Sequence, residues 1–292
     1  MIEESQKMKM LKIEDAARLA WPALEEIALP FGVLRYARGV NRRSNSLNVY
    51  PRVNYEHSDL LRSTEAFFGQ RGLPAIVRIL DSRENRNLDS QLLDSYLAGK
   101  GYDLEAPTRV LLCDLPIRKS THAHVSVSLE LNDWLRVWQT IGGRSDTQIG
   151  VHQITLSKIA AVHCFLTLKD KLGITVSCGM GVISDDVLGI YGIATGEAHR
   201  DMGSGTSLLQ QLMRWGFSNG ARYAYLQVES ANFAALRLYE KLGFEEFYSY
   251  WYRVQNQHCV HAPGESHTPA STENRQAEDG CSPVCGCSGS VS

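Results

Sequence analysis

Short runs of apolar and β-branched residues, separated by turns, dominate the second half of the chain. Such runs are typical of buried strands, whereas apolar residues that recur every three or four positions predict helices. The runs predict strands over 164–168, 174–183, 187–195, 223–228 and 243–252. Helical spacing of apolar residues predicts helices over 206–218 and 232–241, the first ended by Gly220. The second half is therefore predicted as three strands followed by alternating helices and strands.

The first half shows the same two patterns. They predict strands over 32–37, 75–80 and 108–115, and helices over 14–27, 58–70 and 88–98. Pro22 complicates the first helix, Ser58 is a candidate N-cap of the second, and Gly72 follows where a left-handed residue is favoured. Residues 122–143 are predicted as a connector with a strand over 125–129 and a helix over 132–140. The pattern of residues 156–162 fits a short linker helix or a strand.

The two halves share one order of elements. Each has a helix ended by glycine (Gly72 and Gly220), then a strand, a loop and a second helix followed by glycine and an aromatic residue, Gly101-Tyr102 or Gly243-Phe244. This order indicates either two tandem units, the first degenerate, or chance agreement between two α/β patterns.

Composition narrows the class of protein. The chain has 292 residues, 43% hydrophobic and 21% charged, which is typical of a globular protein. Its formal net charge of −2 gives no electrostatic reason to expect nucleic acid or an anionic membrane as partner. The chain contains no apolar run of about 20 residues, as a membrane span needs, and the acidic N-terminus does not resemble a secretory signal. We therefore expect a cytoplasmic protein.

The cysteines divide into two groups. Cys113, Cys164 and Cys178 lie among apolar strand residues and are expected to be buried thiols. The others lie in the segment 255–292, which is so poor in large apolar residues that we expect it to be disordered. The spacing Cys281-x-x-x-Cys285-x-Cys287 differs from that of a structural zinc site, so no metal is predicted, although a soft metal is an alternative.

A glycine-bearing loop carries the first candidate chemistry. The string His199-Arg200-Asp201-Met202-Gly203-Ser204-Gly205-Thr206 follows a predicted strand and precedes a predicted helix. Free N–H groups at a helix N-terminus favour an anion such as a pyrophosphate, and glycine allows close backbone approach. The string lacks the third glycine of a dinucleotide fingerprint and the Lys-Ser/Thr ending of a P-loop. Alone, it also fits a turn that serves only helix packing.

A second string makes the pattern specific. Asn232-Phe233-Ala234-Ala235-Leu236-Arg237-Leu238-Tyr239-Glu240-Lys241-Leu242-Gly243-Phe244 follows one helix and one strand later. Together the strings resemble the GCN5-related N-acetyltransferase (GNAT) superfamily, with its R/Q-x-x-G-x-G/A loop and N-x-x-A-x-x-L-Y-x-x-x-G-F helix. The resemblance covers about residues 160–254. It implies an α/β (α+β) fold with a mixed, mostly antiparallel central sheet flanked by helices, with acetyl-CoA as the acetyl donor.

The resemblance also implies roles for individual residues. The backbone of the strand end would bind the pantetheine arm, the loop would bind the pyrophosphate, and Asn232 would hydrogen-bond the arm. These cofactor-binding residues are Ile193, Ala194, Thr195, Arg200, Asp201, Met202, Gly203, Ser204, Gly205, Thr206, Asn232 and Tyr239. Tyr239 would protonate the departing CoA thiolate. A buried ring with a bonded hydroxyl is the alternative for Tyr239.

The sequence indicates the general base and the acceptor less clearly than the cofactor site. Some relatives carry a glutamate at the position of Gln227, and glutamine cannot take a proton; Glu229 and Glu197 are the nearby carboxylates. The implied reaction is direct attack of a primary amine of a small molecule, peptide or protein. A non-catalytic acyl-CoA-binding or regulatory module is the alternative, and retention of only the fold is less favoured.

The predicted organisation has four parts. They are a degenerate GNAT-like unit (1–120), a connector (121–159), a catalytic unit (160–254) and the tail (255–292). The first unit would shape the acceptor cleft. Its arginines could meet an anionic acceptor group or form a solvated surface; they are Arg35, Arg38, Arg42 and Arg43.

Overall fold

The computed structural model describes residues 2–50, 55–81, 88–116 and 125–256. These residues belong to one compact unit. The predicted disordered tail lies outside the described residues from position 257 onward, together with its four cysteines.

Seven α-helices are formed within the described residues. They are α1 (Ile2–Ala20), α2 (His57–Gly69), α3 (Leu88–Gly99), α4 (Leu131–Gly142), α5 (Asp146–Leu156), α6 (Ser204–Ser218) and α7 (Phe233–Lys241). Short 3-10 turns occur at Arg42–Ser44 and Glu197–His199. In this part of the chain, no helix combines the length and the apolar character needed to cross a bilayer.

Eleven strands in the described part of the chain form one sheet. They are β1 (Glu25–Leu29), β2 (Gly32–Tyr36), β3 (Ser46–Val49), β4 (Ile76–Asp81), β5 (Tyr102–Asp114), β6 (Val125–Ser128), β7 (Val162–Lys169), β8 (Thr175–Ser184), β9 (Val187–Thr195), β10 (Tyr223–Glu229) and β11 (Glu245–Gln255). Their order in the sheet is β1-β2-β3-β4-β11-β5-β10-β9-β8-β7-β6. Only β3–β4 and β9–β10 pair in parallel, so the sheet is mixed and mostly antiparallel, as predicted.

The sheet contains the same arrangement twice. The series α2–β4–α3–β5 repeats as α6–β10–α7–β11, and each series follows a strand that pairs in parallel with its first strand. The last strands are exchanged, because β11 lies beside β4 whereas β5 lies beside β10. β5 and β11 also pair with each other. One continuous sheet therefore crosses the predicted domain boundaries, and the boundaries stay a prediction.

Side chains that alternate along the strands face two helical layers. One layer, on the side called here the α6 face, holds α2, α3, α6 and α7. The other, called the α1 face, holds α1, α4 and α5. In β4, Val77 and Ile79 pack into the core beneath α2 and α3, while Arg78 points to Glu14 of α1.

The first predicted helix was wrong in its bounds. It extends back to Ile2 and ends at Ala20, and residues 25–29 form a strand. Pro22 cannot donate a helical hydrogen bond. In addition, the Arg35 guanidinium binds the carbonyls of Arg18 (3.4 Å) and Trp21 (2.6 Å), which a continuing helix would use.

One further prediction about a helix end was wrong, and one helix was not predicted. The predicted cap Ser58 lies inside α2, whose N-cap is Glu56. Helix α5 was not predicted, although Ser145 and Gln148 form a capping box at its start. Leu156 ends that helix and Val162 begins β7, so residues 156–162 join a helix to a strand.

Candidate functional site

The parallel strands β9 and β10 diverge partway along their length. They pair from Val187 with Tyr223 to Ile190 with Leu226 and not beyond. β9 continues through Thr195 beside β8, while β10 continues beside β5. The space between the diverging ends, called here the crevice, therefore exposes an edge of β9 that has no partner strand.

The loop after β9 ends in a helix N-terminus without a side-chain cap. Gly203 is the N-cap of α6, with a φ of 81°, a conformation that glycine adopts without strain. Within the described residues, the backbone N–H groups of residues 201–206 make no hydrogen bond. The first turn of α6 contains no acidic residue. This end of α6 is therefore open to an anion.

Three elements meet at Gly205. A Cβ atom at this position would lie 3.3 Å from Leu238 Cδ2 in α7 and 3.6 Å from Thr195 Oγ1 at the end of β9. The structure thus brings together the strand end, the loop and the helix that the sequence analysis assigned to one site.

Helix α7 supplies Asn232 and Tyr239. The Asn232 side chain accepts a hydrogen bond from the Ala235 N–H (3.1 Å) and caps the helix, which leaves its amide N–H groups for other partners. Tyr239 is 8% exposed and lies edge to face with Phe244 at 6.0 Å. Its hydroxyl makes no hydrogen bond among the described residues and is not one of the solvent-inaccessible unpaired atoms, so solvent reaches it. Burial raises the pKa of Tyr239 to about 12.

The candidate bases occupy different surroundings. Glu229 ends β10 and is exposed, and its carbonyl accepts a hydrogen bond from the N–H of Asn232 (2.9 Å). Glu197 is also exposed, in the 3-10 turn after β9. Gln227 accepts a hydrogen bond from the Tyr250 hydroxyl at 2.8 Å. A hydroxyl donor therefore holds the side chain where some relatives carry a glutamate.

The α1 face of the crevice is lined by aromatic side chains that the sequence analysis missed. β9 bulges near Gly192, whose φ is 59°. A Cβ atom at Gly192 would lie 2.8 Å from Trp134 Cη2 and 3.3 Å from Trp138 Nε1, both of α4. The spacing of four between these tryptophans was the available signal, because it places both on one face of a helix.

The predicted arginine cluster is divided. Arg35 is buried and pairs with Glu26, and its pKa is lowered, chiefly by burial. Arg42 is exposed and pairs with Glu105. Arg43 instead points towards the aromatic side chains, with its Cζ atom 5.3 Å from the ring centre of Trp21.

A cavity of about 730 Å³ opens on the α6 face. It borders Thr206 in the first turn of α6 and Lys241 at the end of α7, but its wall also carries Asp114, Glu245 and Glu246. With three carboxylates against one lysine, it is a poorer environment for phosphate groups than the loop at 201–206.

Comparisons with known proteins agree with this geometry. Residues 9–253 match the family model described as "Probable histone acetyltransferase Rv0428c C-terminal". The chain is 28% identical over 250 residues to the "Uncharacterized N-acetyltransferase YobR" of Bacillus subtilis (strain 168), covering 84% of this chain and 98% of that protein.

Solved structures share the fold. A GCN5-related N-acetyltransferase from Kribbella flavida superposes with a TM-score of 0.62 at 16% identity, covering 89% of this chain and 96% of that one. A tandem GNAT protein from the clavulanic acid biosynthesis pathway superposes with a TM-score of 0.55 at 11% identity, covering 71% and 73%. The second likeness matches the repeated arrangement in the sheet. The family match spans most of the chain, and the chain therefore belongs to the Rv0428c C-terminal family and is an acetyltransferase of the GNAT superfamily.

Proposed function

We propose that the protein transfers the acetyl group of acetyl-CoA to a primary amine of a small molecule, peptide or protein. The observation that carries this proposal is the meeting of β9, α6 and α7 at Gly205, beside a crevice between two parallel strands. Ligands of α/β proteins commonly bind outside the carboxyl ends of such strands.

The residues around the crevice fit acetyl-CoA. The free N–H groups of residues 201–206 suit a pyrophosphate, and Arg200, exposed in the same loop, adds a positive charge. The unpartnered edge of β9, residues 193–195, can hydrogen-bond the amide groups of a pantetheine arm as an added strand would. Asn232 retains amide donors for the same arm. The bound cofactor would supply the acetyl thioester.

Tyr239 and the two carboxylates would handle protons. Because the pKa of Tyr239 is raised to about 12, its hydroxyl stays protonated at neutral pH and can donate to a departing thiolate. Glu229 and Glu197 are the proposed acceptors of the amine proton, and both can pass it to solvent because they are exposed. Direct attack needs no group on the protein to carry the acetyl, so orientation in the crevice supplies much of the rate.

Calorimetry tests the cofactor assignment. We expect wild-type protein to bind acetyl-CoA and CoA but not NAD. Gly205→Leu should weaken acetyl-CoA binding by at least about tenfold, because a side chain there would meet Leu238 and Thr195 where the three elements converge. Gly150→Ala is the control, since Gly150 lies in α5 with no atom within 4 Å of its Cβ direction. Unchanged affinity in Gly205→Leu would refute this site.

Turnover distinguishes the enzyme from a non-catalytic acyl-CoA-binding module. Gln227, held by Tyr250 where some relatives carry glutamate, is the observation that favours the module. CoA release measured with a broad amine panel decides: saturable binding without release for any amine would support the module.

A further inference from the structure

Arg43 lies among buried aromatic side chains on the α1 face of the crevice. This group, called here the Arg43 cluster, consists of Arg43, Trp21, Trp138, His152, Tyr191 and Tyr250. Tyr191 belongs to β9, directly before the bulge at Gly192. Tyr250 binds Gln227 of β10. The Arg43 cluster therefore lies over the point where the two strands of the crevice separate.

Two buried N–H groups of the Arg43 cluster lack acceptors, although the Arg43 guanidinium also bonds the Tyr250 hydroxyl. Arg43 Nε and Trp138 Nε1 are inaccessible to solvent and have no hydrogen-bond partner in the described part of the chain. A buried donor without an acceptor costs stability, so such groups usually meet a ligand or water. Arg43 as a whole residue is half-buried, and its guanidinium is enclosed by the neighbouring side chains.

The Arg43 cluster also carries positive charge that no ion pair in the described part of the chain balances. Burial lowers the pKa of Arg43, but the phenols of Tyr250, Tyr252 and Tyr191 raise it by more, so the group stays a cation. Arg144 packs on the Trp138 ring at 3.5 Å and, although burial lowers its pKa to about 10, it is also charged at neutral pH. Among the described residues, no carboxylate forms an ion pair with either arginine.

The neighbouring titratable groups do not balance these charges. Burial, then Arg144 and Arg43, lower the pKa of His152 to about 4, so its ring is neutral. Burial raises the pKa of Tyr191 well above neutrality, so that phenol is also uncharged. Glu14, a buried carboxylate on the same face, is held by Arg78 and Tyr248.

We propose that the acceptor amine carries a carboxylate and that Arg43 binds this carboxylate, with the Trp138 indole N–H as a second donor. The inference rests on the proposed function and names the substrate class of the same site. The planar guanidinium suits a carboxylate, and the aromatic walls strengthen the attraction by excluding water. The acceptor is accordingly an amino acid or a related amino-carboxylate, and lysine-rich peptides are poor acceptors because two arginines repel them.

Matched acceptors test the role of the carboxylate. Each amino acid of a panel with apolar and aromatic side chains is compared with its α-amide, which keeps the amine and removes the negative charge, and a lysine-rich peptide completes the panel. CoA release at saturating acetyl-CoA gives kcat/KM. We expect wild-type protein to prefer the acids by about 10- to 100-fold, the range for a charge-assisted hydrogen bond.

Variants then locate the preference. Arg43→Gln should remove the preference for acids, and Arg43→Lys should keep part of it. Trp138→Phe should lower kcat/KM more for acids than for amides. Arg42→Gln is the matched control, since Arg42 is exposed and pairs with Glu105. Melting curves and acetyl-CoA titrations show that each variant is folded and binds the cofactor.

The outcomes separate this inference from the proposed function. Equal kcat/KM for acids and amides, or an acid preference that survives in Arg43→Gln, overturns the carboxylate assignment while acetyl transfer stands. If acetyl-CoA does not bind, the proposed function fails. In that case, calorimetric titration of the amino acids into the protein still tests whether Arg43 binds a carboxylate. Absence of amino-acid binding would refute this role of Arg43.

Discussion

Tyr239 combines a buried ring with a hydroxyl that has no partner among the described residues. The ring is buried, but the hydroxyl is not one of the solvent-inaccessible unpaired atoms, so water can reach it. Phe244 and the apolar core of the α6 face hold the ring and give the hydroxyl nothing to bind. The hydroxyl is thus available to a ligand, and the high pKa keeps its proton on it.

Tyr239→Phe should slow acetyl transfer and leave cofactor binding nearly unchanged. We expect kcat to fall by about 10- to 100-fold, at the lower end of general-acid contributions, since water can partly replace the donor. The dissociation constant of acetyl-CoA should change less than about twofold, because the ring remains. Stopped assays of CoA release and calorimetry measure the two effects.

The pH profile provides a second check on Tyr239. A general acid must be protonated, and a pKa of about 12 keeps Tyr239 protonated throughout the usual assay range. Wild type and Tyr239→Phe should therefore differ by a constant factor between neutral pH and the mildly alkaline range. Equal turnover of the two proteins would leave Tyr239 a packing residue.

At the scale of elements, the two halves differ at one helix end. Helix α6 begins with Gly203 and has no acid in its first turn. Helix α2, its counterpart in the repeat, begins after Glu56 and carries Asp59 in the first turn. Carboxylates at a helix N-terminus stabilise the helix and repel other anions. This difference predicts one cofactor site per chain, at α6.

Placing an acidic residue in the first turn of α6, as in α2, tests this prediction. Thr206 occupies the third position of α6, as Asp59 does in α2. Thr206→Asp should stabilise the helix by about 0.3–1 kcal/mol and still weaken acetyl-CoA binding by at least about tenfold. Thr206→Asn is the neutral control. Calorimetry should give one acetyl-CoA per wild-type chain; two sites would show that the first unit binds cofactor.

The sequence allowed prediction of elements with a strong local signal. Strand 187–195 was predicted with its observed bounds, and the strings around Gly203 and Asn232 gave the site's three elements because each has fixed chemistry at fixed spacing. The assigned roles stay predictions. The end of α1 was mispredicted, because Arg35 closes that helix from a distant strand. Trp21 and His152 were missed because only tertiary packing brings them to Trp138.

At the scale of the molecule, the two halves are joined by more than the exchange of β5 and β11. Helix α1 comes first in the chain and lies over β8 and β9 of the second half. Its Glu14 accepts hydrogen bonds from Arg78 in β4 (3.0 Å to Oε1) and from the Tyr248 hydroxyl in β11 (2.5 Å). One carboxylate thus connects the first helix to the strands where the halves meet.

Replacing Glu14 should therefore destabilise the whole unit. The side chains of Glu14 and Arg78 are 18% and 6% exposed, so Glu14→Gln leaves a buried, unpaired guanidinium. We expect the free energy of unfolding to fall by about 3–5 kcal/mol, as for other broken buried pairs. Glu105→Gln, which removes the exposed pair with Arg42, should cost only about 0–1 kcal/mol. Urea unfolding of both variants measures the contrast.

The pH dependence of the free energy of unfolding shows whether the charge of Glu14 causes this loss of stability. Burial raises the pKa of Glu14, but Arg78 and Tyr248 lower it by more, so the folded-state pKa lies below the ordinary 4.5. A carboxyl with a depressed pKa stabilises the fold above its unfolded-state pKa, and this contribution is lost as pH falls through the folded-state pKa. The stability difference between wild type and Glu14→Gln should therefore be constant from neutral pH down to about pH 5 and shrink below it. A difference that did not change with pH would show that packing, rather than the charge of Glu14, joins the two halves.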